Sequence, residues 1–552
     1  HYTANLRLRH DDAYTPGGKA GFRPDRAVAV YTRILKRLFP HTPVVAGGIE
    51  ASLRRLAHYD YWSDTVMPSI LADSGADLLI YGMGEGVVQQ VARAMRNGYN
   101  AKLLRKIRQV AFLADSGYVD RLDPGTTIRL HSYEECARND RAFGENFTVI
   151  ETQSNLMEPV HTLVEPTGDR FVVVNPPLAT LSTEELDRSF DLPYERAPHP
   201  RYAGKGDIPA WEMIKFSVNL HRGCFGGCSF CTISAHQGKF VHSRSERSIL
   251  AEVERIARMP GFKGCLSDVG GPSANMYGLG GRDRTLCAKC RRPSCLHPKK
   301  CPNLDDDHRP LMELYAKIRA VKGIRKAFIG SGIRYDLFDG GDYLRTVLRH
   351  HTSGRLKVAP EHTEDRVLRL MRKPPFALFE RLNDDFRRIC REEGLPYQLI
   401  PYFISSHPGC TETDMRSLAQ KVLGRLHFTL EQVQDLTPTP MTLSSVMFRT
   451  GENPYTREPV YVARSQDEKR RQKSYFFRER PGERGRRIRA GARPDGGTRP
   501  GTATRAESGI RSGTRSEAMP RSESGIGAAD RPKSGAGPDA AGRKRKKKTS
   551  RR

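Results

Sequence analysis

The 552-residue chain contains no run of about 18 consecutive apolar residues, the length that a membrane-spanning helix needs. Its first residues also lack the charged and then apolar pattern of a secretory signal. Hydrophobic residues are scarce at 38%, and residues 481–552 contain no Leu, Val, Phe, Tyr, Trp or Cys. A segment of that composition cannot bury a core. We therefore predict a soluble, cytoplasmic protein in which residues 481–552 form a disordered basic tail.

Acidic residues are few: 63 Asp and Glu stand against 91 Lys and Arg, which gives a formal net charge of +28. Nearly half of this excess lies in residues 481–552, which hold 20 basic and 7 acidic residues. Such a tail favours nonspecific contact with a nucleic acid and gives no indication of a membrane partner. Because the chain begins with His rather than Met, we also expect residues upstream of it to be missing.

The eleven cysteines are not spread along the chain as a disulfide framework would be. Seven of them fall in two short stretches, 224–231 and 287–301. In an intracellular protein, two such groups predict metal sites. The other four are isolated and are interpreted as small buried side chains: Cys136, Cys265, Cys390 and Cys410.

Strands, glycine turns and helices alternate in residues 1–125, which predicts an N-terminal α/β domain. The strands PVVAGG and DLLIYGM end in glycines, and helices follow them at 49–57 and 87–97. This order is typical of a doubly wound parallel sheet with a ligand at the carboxyl ends of its strands. The same glycines would also serve tight turns alone. Residues 126–210 are less periodic and are predicted to be an irregular end of this domain and a linker.

Six strand–helix units follow between residues 211 and 450. Their strands are predicted over six apolar stretches: IKFSVNL, GCLSDVGG, KAFIGSGIR, LKVAP, YQLIPYFIS and VQDLTP. Six units are too few for a closed eight-stranded barrel but suffice for a partial (β/α)6 barrel, whose site lies at the carboxyl ends of its strands. A Cys-rich insertion spans 272–307, and residues 451–480 form a C-terminal extension before the tail.

The strongest chemical signal is the stretch HRGCFGGCSFC, in which Cys224, Cys228 and Cys231 follow the first barrel strand. Three thiolates can hold a [4Fe–4S] cluster and leave one iron open for a further ligand. The glycines of the stretch let its backbone curl tightly. Structural zinc sites close with four ligands, and no fourth Cys or His stands at a matching offset. A zinc loop with a distant fourth ligand is the alternative.

This motif after a first strand resembles the cluster loop of the radical S-adenosylmethionine (SAM) superfamily. Other stretches resemble YgiQ-type radical SAM proteins, whose substrate is not established: RHDDAYTPGG, GGIEASLRRLAHYDYWSD, CTISAHQGKFVHSRS, DVGGPSANMYG and TPTPMTLSSVMF. The resemblance covers the chain from its first residues to about residue 480. It implies a partial (β/α)6 radical SAM barrel preceded by a flavodoxin-like, cobalamin-binding-like α/β domain.

The resemblance also implies an activity. It is the reductive cleavage of SAM to a 5′-deoxyadenosyl radical that acts on an unknown substrate, small or macromolecular. The electron would come from an external donor of flavodoxin or ferredoxin type, and Cys224, Cys228 and Cys231 would ligate the cluster. Contacts to SAM are implied at five positions: Phe230, Gly270, Gly271, Arg334 and Glu361. Core packing, tight turns and ion pairs are the structural alternatives there.

Two further features concern cofactors. The stretch that holds Cys287, Cys290, Cys295 and Cys301 has no apolar periodicity, so we expect something other than a core to hold it. Its spacing suits zinc or an auxiliary iron–sulfur cluster equally, in a structural or a catalytic role. The turns GGIEAS and YGMGEG resemble those of cobalamin-binding domains, but the chain lacks their Asp-x-His-x-x-Gly loop. We therefore expect that cobalamin does not bind. The question stays open, because that loop belongs near the first strand of such a domain, among the residues that we expect to be missing upstream.

Two other functions would explain part of the sequence. A non-enzymatic, metal-stabilised nucleic-acid-binding protein would explain the charge of +28, but the basic residues concentrate in the tail and no aromatic-rich RNA-binding motif is present. A tRNA-modifying methylthiotransferase would share the barrel. Those enzymes carry cysteine ligands in the N-terminal domain and an RNA-binding β-barrel at the C-terminus, and this chain departs from them at both ends.

Overall fold

The computed structural model describes residues 2–98, 101–178, 181–338, 341–428, 430 and 433–476. These ranges hold an N-terminal α/β part, a second α/β part and a short C-terminal extension. The tail that we predict to be disordered, 481–552, lies outside them. No helix within the described ranges is long and apolar enough to span a membrane.

The N-terminal part is built around one sheet. Its strands are β1 (Val45–Ala46), β2 (His58–Asp60), β3 (Thr65–Met67), β4 (Leu78–Ile80), β5 (Val110–Ala114), β6 (Thr127–Arg129), β7 (Thr162–Thr167) and β8 (Arg170–Val174). Six of them form the sheet, in the order β1–β4–β5–β8–β7–β6, and β2 and β3 make a separate hairpin. The two strands predicted from PVVAGG and DLLIYGM are therefore neighbours, β1 and β4.

The sheet pairing corrects one prediction. β1 and β4 are parallel, as are β6 and β7, but β5 runs antiparallel to both β4 and β8, and β8 runs antiparallel to β7. The two-residue turn 168–169 joins β7 to β8, and so short a connection can only link antiparallel strands. The α/β class is confirmed, whereas the sheet inside it is mixed rather than wholly parallel.

The range 126–210 also differs from its prediction. Instead of an irregular segment, residues 127–174 supply three of the six strands, β6, β7 and β8. The sequence does carry a signal for a β-hairpin here, because Gly168 precedes the β-branched run of β8. In the structure the φ of Gly168 is +60°, which suits the turn of a hairpin. The N-terminal sheet therefore continues well past residue 125.

Helices cover this sheet. They are α1 (Ala27–Leu38), α2 (Gly48–Leu53), α3 (Ile70–Ser74), α4 (Glu85–Arg96), α5 (Ala101–Leu104), α6 (Ser116–Val119), α7 (Tyr133–Arg138), α8 (Asp140–Ser154) and α9 (Thr183–Phe190). The start of α9 shows how the sequence sets such an end. Ser182 accepts a hydrogen bond from the Glu185 amide while the Glu185 carboxylate accepts one from the Ser182 amide, which satisfies two free amides of the first turn.

The second part begins with α10 (Pro209–Ile214) and contains the predicted barrel. Its strands are β9 (Ser217–Asn219), β10 (His221–Arg222), β11 (His242–Ser243), β12 (Cys265–Leu266), β13 (Asp268–Gly270), β14 (Gly280–Gly281), β15 (Leu304–Asp305), β16 (Lys326–Ala327), β17 (Arg355–Glu361), β18 (Gln398–Ser405) and β19 (Val433–Asp435). Each of the six predicted barrel strands is present, with β12 and β13 as two segments of the second. The pairs among these barrel strands are parallel: β9 with β13, β12 with β16, β17 with β18, and β18 with β19. Two short pairs outside them, β10 with β11 and β14 with β15, are antiparallel.

The helices of this part and the extension are α11 (Ile233–Gln237), α12 (Glu246–Ala257), α13 (Arg284–Lys289), α14 (Arg309–Ala320), α15 (Asp342–His350), α16 (Asp365–Leu370), α17 (Phe376–Glu392), α18 (Glu412–Ala419), α19 (Leu443–Thr450) and α20 (Gln466–Ser474). Helix α17 illustrates the packing. It buries Phe379, Phe386 and Ile389 along one face, at a helical spacing, within the core that barrel strands and helices share.

The C-terminal extension packs against both parts of the fold. Helix α20 contacts α18 and β18, and its Gln472 amide donates to the Cys410 carbonyl at 2.9 Å. The buried Lys469 of the same helix donates to the Tyr61 hydroxyl at 2.7 Å. Residues 466–474 thus join the end of the barrel to the N-terminal part.

Candidate functional site

The cluster loop, residues 223–231, connects β10 to α11 at the carboxyl end of the first barrel strand. Two of its glycines are required by the geometry. Gly223 (φ +82°) and Gly227 (φ +60°) lie in the left-handed region. A Cβ at Gly223 would overlap the carbonyl oxygen of Phe240, and one at Gly227 would overlap that of Pro293. The loop backbone therefore curls tightly, as predicted.

The loop gathers Cys224, Cys228 and Cys231 into one half-buried group of free thiols. Burial raises the pKa of the Cys224 thiol, and burial raises the pKa of Cys231 to about 12. The negative charge of Cys228 acts in the same direction on both, so the three sulfurs lie within electrostatic reach of one another. Thiolates become favourable here only beside positive charge, such as the irons of a cluster.

Arg334 supplies positive charge at the loop. Its Nη1 donates to the Cys228 sulfur at 3.2 Å, and its Nε and Nη2 donate to the Asp336 carboxylate at 2.9 and 2.5 Å. A Cβ at Gly226 would overlap the same guanidinium. The Asn275 side chain accepts from the Arg334 amide and donates to its carbonyl, which fixes the backbone. Arg334 thus forms an ion pair with Asp336 and also contacts the Cys228 sulfur. Its contact with SAM, the other role considered above, stays a prediction.

The donor set fits an iron–sulfur cluster. Within the described ranges, no three His, Cys, Asp or Glu side chains converge as ligands of a single ion. Thiolates of an iron–sulfur cluster bind different irons and need no common point. The three free sulfurs, the tight glycine loop and the Arg334 guanidinium against Cys228 together accommodate such a cluster.

A buried hydrogen-bond network that the sequence did not suggest anchors the cluster loop. His407 Nε2 lies 2.7 Å from the Ser444 hydroxyl and 3.3 Å from the Ser229 hydroxyl, and the two hydroxyls are 2.8 Å apart. The Ser444 amide donates to the Ser229 carbonyl. Burial lowers the pKa of His407 to about 3, so its ring is neutral. The only sequence signal was a histidine directly after the fifth barrel strand.

The remaining predicted SAM contacts lie around this loop. Phe230 is half-buried against the barrel core, with its ring 6.2 Å from that of His407. Glu361 ends β17 in the left-handed region (φ +69°) and is buried, and burial raises the pKa of its carboxyl group. The Lys373 ammonium lies 3.9 Å from its Oε1. Phe230 belongs to the cluster loop itself, and Glu361 at the end of β17 is close enough for its charge to act on Cys231. Their contacts to SAM stay predictions.

The two glycines at the end of β13 contact protein atoms. A Cβ at Gly271 would overlap the ring of buried His221, and one at Gly270 would lie 3.0 Å from the Ser331 hydroxyl. Asp268 accepts hydrogen bonds from the amides of Gly330 and Ser331, which ties this strand end to the next. In this structure the glycines serve close packing between strand ends.

The four cysteines of the insertion also come together. Burial raises the pKa of Cys287 and raises that of Cys295 to about 11, and the neighbouring thiols of the group add to both shifts. The buried Lys239 ammonium lies 3.9 Å from the Cys290 sulfur and donates to the Arg292 carbonyl at 2.7 Å. This group of thiols and one cation is a second candidate metal site.

The insertion is docked on the cluster loop. The Cys295 amide donates to the Phe225 carbonyl at 3.0 Å, and the Ser294 hydroxyl donates to the Gly226 carbonyl at 2.8 Å. Contrary to our expectation, apolar residues do hold it. A small core forms where the insertion meets the cluster loop: Phe225, Met276, Leu279, Leu304 and Leu337. The sequence did not suggest this core because its members come from three separate segments.

Comparisons with known proteins identify the family. Residues 1–217 match the family model described as radical SAM N-terminal, and residues 431–482 match a domain of unknown function, DUF3362. A UPF0313 protein of Bacteroides thetaiotaomicron is 53% identical over 505 residues, which cover 88% of this chain and 81% of that protein. A UPF0313 protein of Porphyromonas gingivalis is 55% identical over 487 residues, 86% of this chain and 76% of that protein. The chain belongs to the UPF0313 family.

The UPF0313 chain is thus a YgiQ-type member of the radical SAM superfamily, as its motifs predicted, and an enzyme of that class. The cofactors of the class are a [4Fe–4S] cluster and SAM. The structure of the UPF0313 chain is also similar to that of TsrM from Kitasatospora setae, a radical SAM methyltransferase solved with tryptophan and a SAM analogue bound. That similarity has a TM-score of 0.44 at 16% identity and covers 79% of this chain and 63% of that one.

The glycine turns of the UPF0313 chain border a groove of about 610 Å³ at the ends of β1 and β4. Gly47 and Gly84 line it. Gly82 (φ +67°) lines it too, and a Cβ there would lie 3.2 Å from the His236 carbonyl oxygen of α11. One of these turns therefore receives the helix that follows the cluster loop, so the N-terminal sheet and the barrel site meet at this point.

Proposed function

We propose that Cys224, Cys228 and Cys231 hold a [4Fe–4S] cluster whose fourth iron binds SAM, and that the enzyme cleaves SAM to start a radical reaction on a substrate still unknown. When bound and reduced, the cluster would supply the electron that breaks a carbon–sulfur bond of SAM, giving methionine and a 5′-deoxyadenosyl radical. The observation that carries the proposal is the group of three free thiols in one tight loop, with the Arg334 guanidinium 3.2 Å from the Cys228 sulfur.

The protein's own groups would make this site selective for a charged cluster. Arg334 lowers the pKa of Cys224 against the larger effect of burial, so it favours the thiolate that a metal needs. The Ser229–His407–Ser444 network would hold the loop in place without adding charge, because the buried imidazole is neutral. Burial of the loop would exclude water from the reacting groups.

We infer that SAM is held by Phe230 and by the strand ends that carry Gly270, Gly271 and Glu361. Glu361 is suited to a SAM amino group because, among the residues that the structure describes, its buried carboxyl group has one ion-pair partner, the Lys373 ammonium at 3.9 Å, while Arg334 acts on it only through its charge. A second cation would be favourable beside such a carboxylate. Arg334 is already engaged by Asp336 and Cys228, so its proposed share in SAM binding is electrostatic.

We further propose that the four cysteines of 287–301 hold a second metal centre, either an iron–sulfur cluster, whose thiolates need not share one point, or zinc, for which the four sulfurs would have to move together. Burial raises the pKa values of Cys287 and Cys295, and the neighbouring thiols add to both shifts, an arrangement that a bound metal would relieve. The electron for the first cluster would come from an external donor of flavodoxin or ferredoxin type. The basic tail supports, by its composition, nonspecific contact with a nucleic acid.

Metal analysis of anaerobically purified protein tests the proposal. Replacing Cys224, Cys228 and Cys231 by Ala should remove one cluster's iron and sulfide and abolish reductant-dependent release of 5′-deoxyadenosine. The matched control is Cys265→Ala, which removes an isolated, half-buried cysteine of β12 and should change neither. Zinc at full occupancy in the three-cysteine loop would refute the proposal, and so would unchanged iron in the triple variant.

A further inference from the structure

A cavity of about 130 Å³ lies between the N-terminal sheet and the segment that follows the cluster loop. Tyr81 and Asn175, which directly follow β4 and β8, line one side, and residues 234–242 line the other. Much of its surface is apolar, from Leu, Met, Pro, Val and Phe side chains. The described residues that line it include Arg55, Arg222 and Lys239 but no Asp or Glu. Its lining therefore carries positive charge and no acidic side chain, and the Glu85 carboxylate that pairs with Arg222 lies outside the lining.

Arg55 is the group that most needs a partner from outside. Its side chain is only 3% exposed. Within the described ranges four arginines are buried, and a carboxylate pairs with three of them: Glu252 with Arg244, Asp336 with Arg334 and Glu151 with Arg372. No carboxylate among the residues that the structure describes pairs with Arg55.

The contacts that Arg55 does make are neutral. Its Nη1 donates to the Ser52 carbonyl at 2.7 Å and its Nη2 to the Ser154 hydroxyl at 3.3 Å, while its guanidinium lies 4.9 Å from the centre of the Tyr81 ring. Its Nε has no hydrogen-bond partner. A guanidinium taken out of water without an anion is strongly unfavourable. An anionic ligand in the cavity would remove that penalty.

Two more nitrogens of the lining are unpartnered. These are Nε of Arg222 and Nδ1 of His236. Arg222 has a carboxylate nearby, but its Nη2 lies 3.4 Å from the Glu85 carboxylate and leaves Nε free. Burial lowers the pKa of His236, and the charges of Arg55 and Arg222 lower it further, so both guanidinium groups act on the same imidazole. The cavity is thus lined by three residues with an unpartnered nitrogen, and two of these nitrogens are guanidinium donors, which suit an anion.

The cavity is next to the proposed chemistry. Arg55 and Ser154 also line a smaller cavity of about 30 Å³, which Cys228, Ser229 and Cys231 of the cluster loop border. Helix α11, which follows Cys231 directly, lines both spaces. A molecule held at Arg55 would therefore lie beside the cluster loop.

We propose that this cavity binds the substrate of the radical reaction, a small molecule with an apolar body and one carboxylate or phosphate group, which the Arg55 guanidinium binds directly. The apolar lining would bury the body and the unpartnered nitrogens of Arg222 and His236 would bind the same anionic group. The role of this ligand as substrate rests on the proposed function, whereas its binding does not need the cluster chemistry.

Isothermal titration calorimetry with three naphthalene probes tests the binding. Full-length protein, purified anaerobically, is titrated with 2-naphthoate, with 1-naphthyl phosphate and with the neutral 2-naphthamide, in the absence of SAM and reductant. We expect one site per chain for at least one of the two anions and at least tenfold weaker binding of the amide. The stronger of the two anions identifies the carboxylate or the phosphate. Equal affinity for the amide, or no measurable binding of either anion, would overturn the proposal.

Variants assign the preference to Arg55. In Arg55→Met the discrimination between anion and amide should disappear, and Arg222→Met should reduce it even if Arg55→Met does not fold. The control is Arg93→Met, which removes an exposed arginine of α4 that does not line the cavity and should keep the wild-type difference. Discrimination that survives in both cavity variants would refute the proposal. Because the titrations need neither SAM nor reductant, these results are separate from the iron content that tests the cluster.

Discussion

Gly223 provides the sharpest test of how the cluster loop is built. In Gly223→Ala, the new methyl group would overlap the Phe240 carbonyl oxygen and lie 2.9 Å from the carbonyl carbon, both backbone atoms. The residue is also left-handed, with φ of +82°. Left-handed backbone costs a non-glycine residue roughly 1–2 kcal/mol, and overpacking costs about 1–3 kcal/mol more. We therefore expect the variant to lose about 2–5 kcal/mol of unfolding free energy.

Two other glycines separate these contributions. Gly238 has φ of +90° but open space where a Cβ would lie, so Gly238→Ala should show the backbone cost alone. Gly280 has neither a positive φ nor a close neighbour, so Gly280→Ala should be neutral or stabilising by up to about 1 kcal/mol. Urea unfolding of the three variants, with iron content measured beside it, checks the order. If Gly223→Ala and Gly238→Ala unfold at the same urea concentration, the contact with Phe240 has no energetic consequence and the reasoning fails.

Three further predictions concern other parts of the molecule. Replacing the four cysteines of 287–301 by Ala should lower the metal content by one further site, since a bound metal is expected to need all four thiols; unchanged metal stoichiometry would contradict it. Burial raises the pKa of Glu165 to about 8 from 4.5, so its contribution to stability is complete below pH 4.5 and is lost as pH rises through about 8. Glu165→Gln should therefore become more stable relative to wild type between pH 6 and about 8, as thermal unfolding would show, and a constant difference would refute the assignment. Truncation after residue 480 should keep SAM cleavage but weaken retention on heparin, and loss of cleavage would show that the tail is needed for activity.

Local signals in the sequence predicted the barrel well. The six apolar stretches form strands because each places buried apolar residues in the barrel core, and the cysteine spacing places three thiols in one loop whatever the rest of the fold does. Strand pairing in the N-terminal sheet was not predictable in the same way. Whether β5 lies beside β4 or elsewhere depends on contacts between distant residues, and parallel order was inferred from the rhythm of the chain alone.

In the candidate site, too, local signals predicted some features, whereas others depend on contacts that the sequence does not show. The positions of Arg334 and Glu361 at strand ends followed from the motif, but their partners Asp336 and Lys373 depend on turns that the pattern does not describe. The contact between Gly271 and His221 could not be predicted, because a glycine that admits a ligand and one that admits a neighbouring ring look identical in a sequence.

Docking of the cysteine-rich insertion on the cluster loop has a thermodynamic consequence. The Cys295 amide and the Ser294 hydroxyl join the two loops by donating to the Phe225 and Gly226 carbonyls, and Gly227 leaves no room for a Cβ between them. If each loop holds a metal, ordering one of them lowers the entropy that the other must still lose. Linkage requires this effect to be reciprocal, so each metal should raise the affinity of the other by the same factor. Loading of the two centres would then be cooperative, and half-loaded protein would be scarce at equilibrium.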